Sequence, residues 1–204
     1  MHELVPEGFR MTGVRRAQQT RAIAKKKQIL DAAVSLMFEK GVQGVTHRQV
    51  ASLANVPVGS IGYYYDTRED LLVTAVMELG ARRRREAEAI LGEVDAPRPA
   101  EDVADLLLRL LVGEEPTRDV LAGWLAIMLD GVRESEALRA ALDGLRRELY
   151  TDFRTLLDAA GYPDVQESRL NVRIGGVVLV AVLEQREDVL GIMRCALVDL
   201  LKGR

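Results

Sequence analysis

Residues 45–72 read VTHRQVASLANVPVGSIGYYYDTREDLL, and the fold turns on this stretch. Thr46-His47-Arg48-Gln49 has the pattern of a capping box, Thr at the N-cap and Gln three residues on, and predicts a helix start. Val50, Ala51 and Ala54 give that helix an apolar side. Asn55 follows, one of the few non-glycine residues that accept a left-handed backbone. Val56 can plug the turn, and Pro57 can open the next helix with its fixed φ. A short helix over 58–64 sends Ile61 inward, and Tyr65 packs the same way. Thr67-Arg68-Glu69-Asp70 is a second capping box, with two acids in the first turn where the helix dipole favours them. It launches a long helix through Leu71, Leu72, Val76 and Leu79 towards Leu91.

Upstream, Ile29, Ala33, Leu36 and Met37 recur at the spacing of one helix face, so a helix is expected over 18–40, with Gly41 as its C′ stop. Residues 1–17 lack that periodicity, contain Pro6, Gly8 and Gly13, and read as a flexible basic arm. Downstream, Pro97 and Pro99 cannot both sit inside a helix and break the chain. Helical patterns then resume at about 101–112, 118–133, 135–160, 165–184 and 187–202. Gly113-Glu114-Glu115-Pro116 and Gly161-Tyr162-Pro163-Asp164 are among the separators. No stretch alternates as a strand does. The expected architecture is all-α: a three-helix unit over 18–66 built round a helix–turn–helix, then a larger helical region over 67–204.

Composition narrows the function. Apolar residues at 48% and charged ones at 29% are ordinary for a globular protein. No apolar leader is visible at the N-terminus, and the longest apolar stretch, Ile174 to Leu183, is too short to span a bilayer. The single Cys195 suits a reducing cytoplasm and reads as a small core residue. The net charge of −3 hides an asymmetry: nine cations against two acids lie between Arg10 and Arg48, while residues 49–204 carry nineteen cations against twenty-seven acids. A basic head on an acidic body points to a nucleic-acid reader joined to something else. Enzyme chemistry finds little support. There are two histidines, His2 and His47, no metal-ligand spacing, no glycine-rich phosphate loop and no nucleophile elbow. No metal and no cofactor is expected.

A recognition helix must present small or polar residues near its N-terminal end to enter a major groove. Val58, Gly59 and Ser60 meet that need: Val58 can touch a thymine methyl, Gly59 allows close backbone approach, and Ser60 donates and accepts. Tyr63 and Tyr64 can reach phosphates, Arg48 a base edge or a phosphate, and Arg68 sits at a helix N-terminus that attracts phosphate. Thr46 at the first helix start, and Arg21 and Lys25 in the basic flank, complete the candidate DNA-binding set.

Thr46, Val50-Ala51, Ala54-Asn55-Val56, Gly59-Ser60-Ile61, Tyr63-Tyr64-Tyr65 and Arg68-Glu69-Asp70-Leu71-Leu72 follow one another in the order of a known pattern. Over residues 20–76 the chain resembles the DNA-binding domain of the TetR family of transcriptional regulators. It departs at Gly62, where the family often has a Tyr, at Arg68, where Lys is usual, and at Asn55 in place of the turn Gly. The resemblance implies an all-helical homodimer whose variable C-terminal domain binds a small molecule and usually releases DNA on doing so. It implies that the last two helices pair with their mates. Val172, Gly176, Leu179, Leu183, Leu190, Met193 and Leu197 are the candidate interface residues. A dimer also follows physically, since one short recognition helix makes too few contacts for specific affinity.

Met77, Leu107, Trp124, Met128, Tyr150 and Phe153 are the candidate lining of an effector pocket, and their apolar character points to a largely hydrophobic ligand. The run Arg82-Arg83-Arg84-Arg85 points all round a helix and reads as solvated, paired with Glu78, Glu86 and Glu88. The expected function is a cytoplasmic repressor that holds a double-stranded operator as a homodimer and lets go when a small effector binds, with no membrane partner. A regulator without a small-molecule effector is the alternative, and a helical ligand carrier or enzyme a weaker one.

Overall fold

The computed structural model describes the backbone of residues 7–113 and 117–203 and the side chains from residue 19 onward within those limits. Among the described residues there are nine α-helices and no strand. They are α1 (Glu7–Lys40), α2 (His47–Leu53), α3 (Val58–Tyr64), α4 (Arg68–Leu91), α5 (Ala100–Val112), α6 (Arg118–Glu134), α7 (Glu136–Ala159), α8 (Glu167–Leu183) and α9 (Val189–Leu201). A 3₁₀ turn, Val42–Gly44, links α1 to α2.

Local chemistry sets the N-terminal elements. Gly41 takes φ 67° as α1 ends, and a Cβ there would lie 2.6 Å from an Asp130 carboxylate oxygen, so the position needs glycine twice over. The Thr46 hydroxyl accepts from the Gln49 N–H at 3.2 Å and donates to the Gln49 side-chain oxygen at 2.9 Å. The Thr67–Asp70 box closes in both directions, at 3.0 and 3.1 Å. Asn55 adopts φ 52°, and the Val56 N–H reaches back to the Ala51 carbonyl at 3.0 Å, which closes the tight turn before α3. In one respect the reading changes: the arm expected over 1–17 is helical from Glu7, and residues 1–6 lie outside the described ones. Two glycines in that segment each cost about 1 kcal/mol of helix propensity, too little to stop a helix that continues for six further turns.

Two apolar clusters form the core. The N-terminal one gathers Ile29, Ala33, Met37, Val50, Ile61, Tyr65, Leu71, Leu72 and Val76, all buried. It is completed by Ile127 of α6 and by Leu138, Leu142 and Leu145 of α7. The C-terminal cluster joins the second half of α4 to α5, α7, α8 and α9 through Ile90, Leu107, Phe153, Leu156, Leu170 and Leu197. Helix α4 thus serves both clusters, packed along α7, while α1 lies against α4 and α6. Gly123 makes the α1–α6 approach possible, since a Cβ there would sit 2.7 Å from the Phe38 carbonyl oxygen. Trp124, the next residue, meets the Phe38 ring edge to face at 5.5 Å.

Candidate nucleic-acid interface

Helices α2 and α3 and the basic side of α1 present one outward face. Arg48, Val58, Gly59 and Tyr63 are exposed on it, Tyr63 at 82%, and Ser60 and Tyr64 are half-buried. Tyr63 and Tyr64 hold each other edge to face at 5.1 Å. Arg21 is exposed and Lys25 half-buried, and neither they nor Arg48 form an ion pair among the described residues. Thr46 is exposed, but its hydroxyl is engaged with Gln49. A Cβ at Gly59 or at Gly62 would meet nothing within 4 Å, so internal packing does not ask for glycine at either place. Leu53 and Ser52, exposed at the end of α2 on the rim of this face, were not singled out by motif reasoning. Tyr65 belongs to the interior: it is buried, Lys26 lies 5.9 Å from its ring centre, and burial, with Glu78 nearby, pushes its phenol up to about 12.

Arg68 stands at the first position of α4, as the capping motif suggested, but its guanidinium does not face outward. Its Nε donates to the Val45 carbonyl at 2.6 Å, its Nη2 to the Val42 carbonyl at 2.7 Å, and its Nη1 to Glu134 at the end of α6. Gln43 donates to the other Glu134 oxygen at 2.5 Å. The guanidinium is therefore turned inward to satisfy two backbone acceptors and a carboxylate, instead of facing a phosphate. It ties the 3₁₀ turn to α6.

Behind this unit lies a chamber of about 500 Å³ between α4, α6, α7 and α8. Trp124 and Met128 line it, as expected. The other four candidate residues do not. Met77 is 65% exposed on α4, Leu107 and Phe153 are closed inside the C-terminal core, and Tyr150 packs against that core beneath the Arg146 guanidinium, 5.7 Å from its ring. Leu142 and Leu145 wall the chamber instead, and both also belong to the N-terminal cluster.

The arginine run is not uniformly solvated. Arg82 bonds Glu78 at 2.9 Å and Asp31 of α1; burial, the largest single influence, pushes the Asp31 carboxyl up, but Lys27 and Arg82 together outweigh it and hold it low. Arg84 pairs with Glu148 at 2.8 Å. Arg83 is buried and pairs with Asp152 at 2.7 Å.

On α8, Val172 and Leu183 are 74% and 73% exposed, and Leu179 and Gly176 share that open face. Val172 and Gly176 border a shallow groove. On α9 the expected interface residues turn the other way: Met193 and Leu197 are buried in the intrachain core and Leu190 packs against it. Helical spacing gives α9 one apolar stripe, and α5 and α8 cover it. Cys195, expected in the core, is exposed between stripe positions. Glu114-Glu115 lies outside the described residues. Among those described, no group of His, Cys, Asp or Glu could hold a metal ion, and no helix is long and apolar enough to cross a membrane.

Residues 29–75 match the family model of bacterial regulatory proteins of the tetR family. The chain is 27% identical over 165 residues to the HTH-type transcriptional regulator PksA of Bacillus subtilis, covering 78% of this chain and 80% of that one. It is 27% identical to the multidrug binding protein EbrR, solved with proflavin, with a TM-score of 0.59 over 86% of this chain and 99% of the other. A TetR transcription regulator from Haloarcula marismortui shares the fold, with a TM-score of 0.70 at 18% identity over 88% and 97% of the two chains. The outward helix–turn–helix, its helical partner domain and these likenesses agree: residues 29–75 carry a DNA-binding domain of the tetR-family type, and the chain is similar over most of its length to DNA-binding transcriptional regulators.

Proposed function

We propose that this regulator is a cytoplasmic repressor that grips a double-stranded operator as a homodimer and is released by a small, largely hydrophobic effector. The observation that carries the effector half is a shared wall. Leu142, Leu145, Trp124 and Met128 border the chamber on one side and pack on the other against the core that holds α2 and α3. An occupant that shifts α6 or α7 must disturb that core, because close-packed interiors transmit displacement. Helix α6 also reaches the reader at two points, through Trp124 on Phe38 and through Glu134 on Gln43 and Arg68.

Exposed Arg48, Val58, Gly59 and Tyr63 and half-buried Ser60 and Tyr64, with Arg21 and Lys25, would face the duplex. The open face of α8, with Val172, Gly176, Leu179 and Leu183, would meet its copy. Two recognition helices then enter successive major grooves about 34–36 Å apart, or a multiple of that. Effector binding favours a second spacing, and a coupling of about 1–3 kcal/mol is enough for a useful response. A chamber of this size, and the proflavin complex of the similar EbrR, support an effector over a regulator without one.

The test is fluorescence anisotropy on duplexes from the DNA upstream of the protein's own gene, with small apolar compounds added. Saturable, salt-sensitive binding that a compound reverses is the expected result. Absence of duplex binding at low salt would sink the reading.

A further inference from the structure

Arg83 places a charge where an apolar wall would have served. It lies in the middle of α4, is 8% exposed, and lines both the 500 Å³ chamber and a smaller cavity of about 270 Å³ beside α5. Trp124, Leu111 and Val112 border both as well, so the two cavities share one wall. Asp152 takes the Nη2 donor at 2.7 Å. The Nε and Nη1 donors are buried and have no hydrogen-bond partner. Buried donors of a charged group are nearly always satisfied, so two unpartnered donors on a residue that borders both cavities point to an acceptor from outside the chain, reached by a small turn of the guanidinium.

The rest of the wall says what kind of acceptor. The charged side chains facing the chamber are Arg83, Arg139, Arg146 and Asp143, with Arg146 bound to Asp143 at 2.9 Å. Counting Asp152, three arginines meet two carboxylates: Asp152 pairs with Arg83 and Asp143 with Arg146, so the unmatched positive charge at the chamber is that of exposed Arg139. Arginine also suits a planar oxyanion better than lysine does. The remaining surface is apolar, with Trp124, Met128, Leu142, Leu149 and Ile174 among the lining residues.

We propose that the chamber is selective for amphipathic organic anions, a carboxylate head on the free Arg83 donors and an apolar body along Trp124 and Met128. This deepens the effector reading above and rests on it. Asp152 has a positioning role, holding the guanidinium at the cavity wall by its Nη2 donor.

Trp124 is the chain's one tryptophan and reports on the site directly. The full-length protein, free of DNA, is titrated at neutral pH with dodecanoate, dodecanol and dodecylamine, which share one tail. Dodecanoate should change Trp124 emission and bind about tenfold or more tightly than the alcohol, the difference expected of a charge-assisted hydrogen bond. The amine should bind more weakly still. Arg83→Met should bring the carboxylate-to-alcohol ratio close to one. Arg83→Met with Asp152→Asn does the same without stranding a carboxylate, should the single variant fold poorly. The proposal is overturned if the alcohol or amine binds as well as dodecanoate, if the preference survives in both variants, or if no probe changes Trp124 emission. Dodecanoate bound through Arg83 without any effect on duplex binding would uphold the site and refute effector-driven release. Release by the alcohol as readily as by dodecanoate would do the reverse.

Discussion

The two cores of this chain are closed in different ways. The C-terminal core is self-sufficient: α5, α7, α8 and α9 bury Leu107, Phe153, Leu156 and Leu197 among themselves and the end of α4. The N-terminal core is not. Helices α1, α2, α3 and the first half of α4, with a 3₁₀ turn, supply most of it, but Ile127, Leu138, Leu142 and Leu145 come from α6 and α7, and Glu134 anchors Arg68 from the same side. The difference teaches that the DNA-reading unit is stiff in its own turns yet finished by its neighbour. The proposed effector response needs that combination, because a reader with a sealed core would not feel what happens next door.

Truncations in the two cores give the largest expected effects and test the contrast directly. Phe153→Ala should destabilise by about 3–5 kcal/mol in urea unfolding while the molecules still folded keep wild-type affinity for DNA. Leu142→Ala, on the shared wall, should cost about 2–5 kcal/mol and also weaken duplex binding several-fold under conditions where the protein is fully folded. Equal behaviour of the two variants in DNA binding would show the cores to be independent.

Arg68→Ala comes next. It strands the Val42 and Val45 carbonyls and one Glu134 oxygen, so a loss of about 1–3 kcal/mol is expected. The salt dependence of DNA binding should not change. Arg48→Ala should instead leave stability nearly unaltered and reduce the salt slope by about one. An Arg68 variant that lowers the slope would return that residue to the phosphate-facing surface.

Smaller effects sharpen the turn between α2 and α3. Asn55→Val forces a β-branched residue to φ 52° and should cost about 1–3 kcal/mol by thermal unfolding. Asn55→Gly should stay within about 0.5 kcal/mol of the parent. The least change in stability belongs to Tyr63→Ala: within about 0.5 kcal/mol, since the ring lies open on the surface, with a clear loss of duplex affinity.

Legibility in the sequence followed the range of the interactions. Thr46 with Gln49, Thr67 with Asp70, the Asn55 turn and the Gly41 stop are contacts between residues a few positions apart, and each has one chemical purpose. The inward aim of Ile61 and Tyr65 follows from helical spacing. Arg68 and Arg83 were misjudged because their partners lie far along the chain, at Val42, Val45 and Glu134 for one and at Asp152 for the other. A charge run on a helix looks the same in sequence whether or not one member is swallowed by a neighbour. The pocket suffered likewise. A large apolar side chain announces burial, and only packing decides whether it faces a cavity, as Trp124 does, or a filled interior, as Phe153 does. On α9 the stripe through Met193 and Leu197 announced a covered face without saying that this chain's own α5 and α8 cover it.

The central claim is that the exposed face of α2 and α3 holds duplex DNA by charge and close approach. Anisotropy of a labelled duplex from the upstream DNA, measured across a series of salt concentrations for the wild type and for Arg48→Ala with Tyr63→Ala, tests it most directly. The account predicts affinity that falls steeply and linearly on logarithmic axes for the wild type, and at least about tenfold weaker binding for the double variant at an unchanged unfolding midpoint. Salt-independent binding, or a double variant that binds as tightly as its parent, would contradict it.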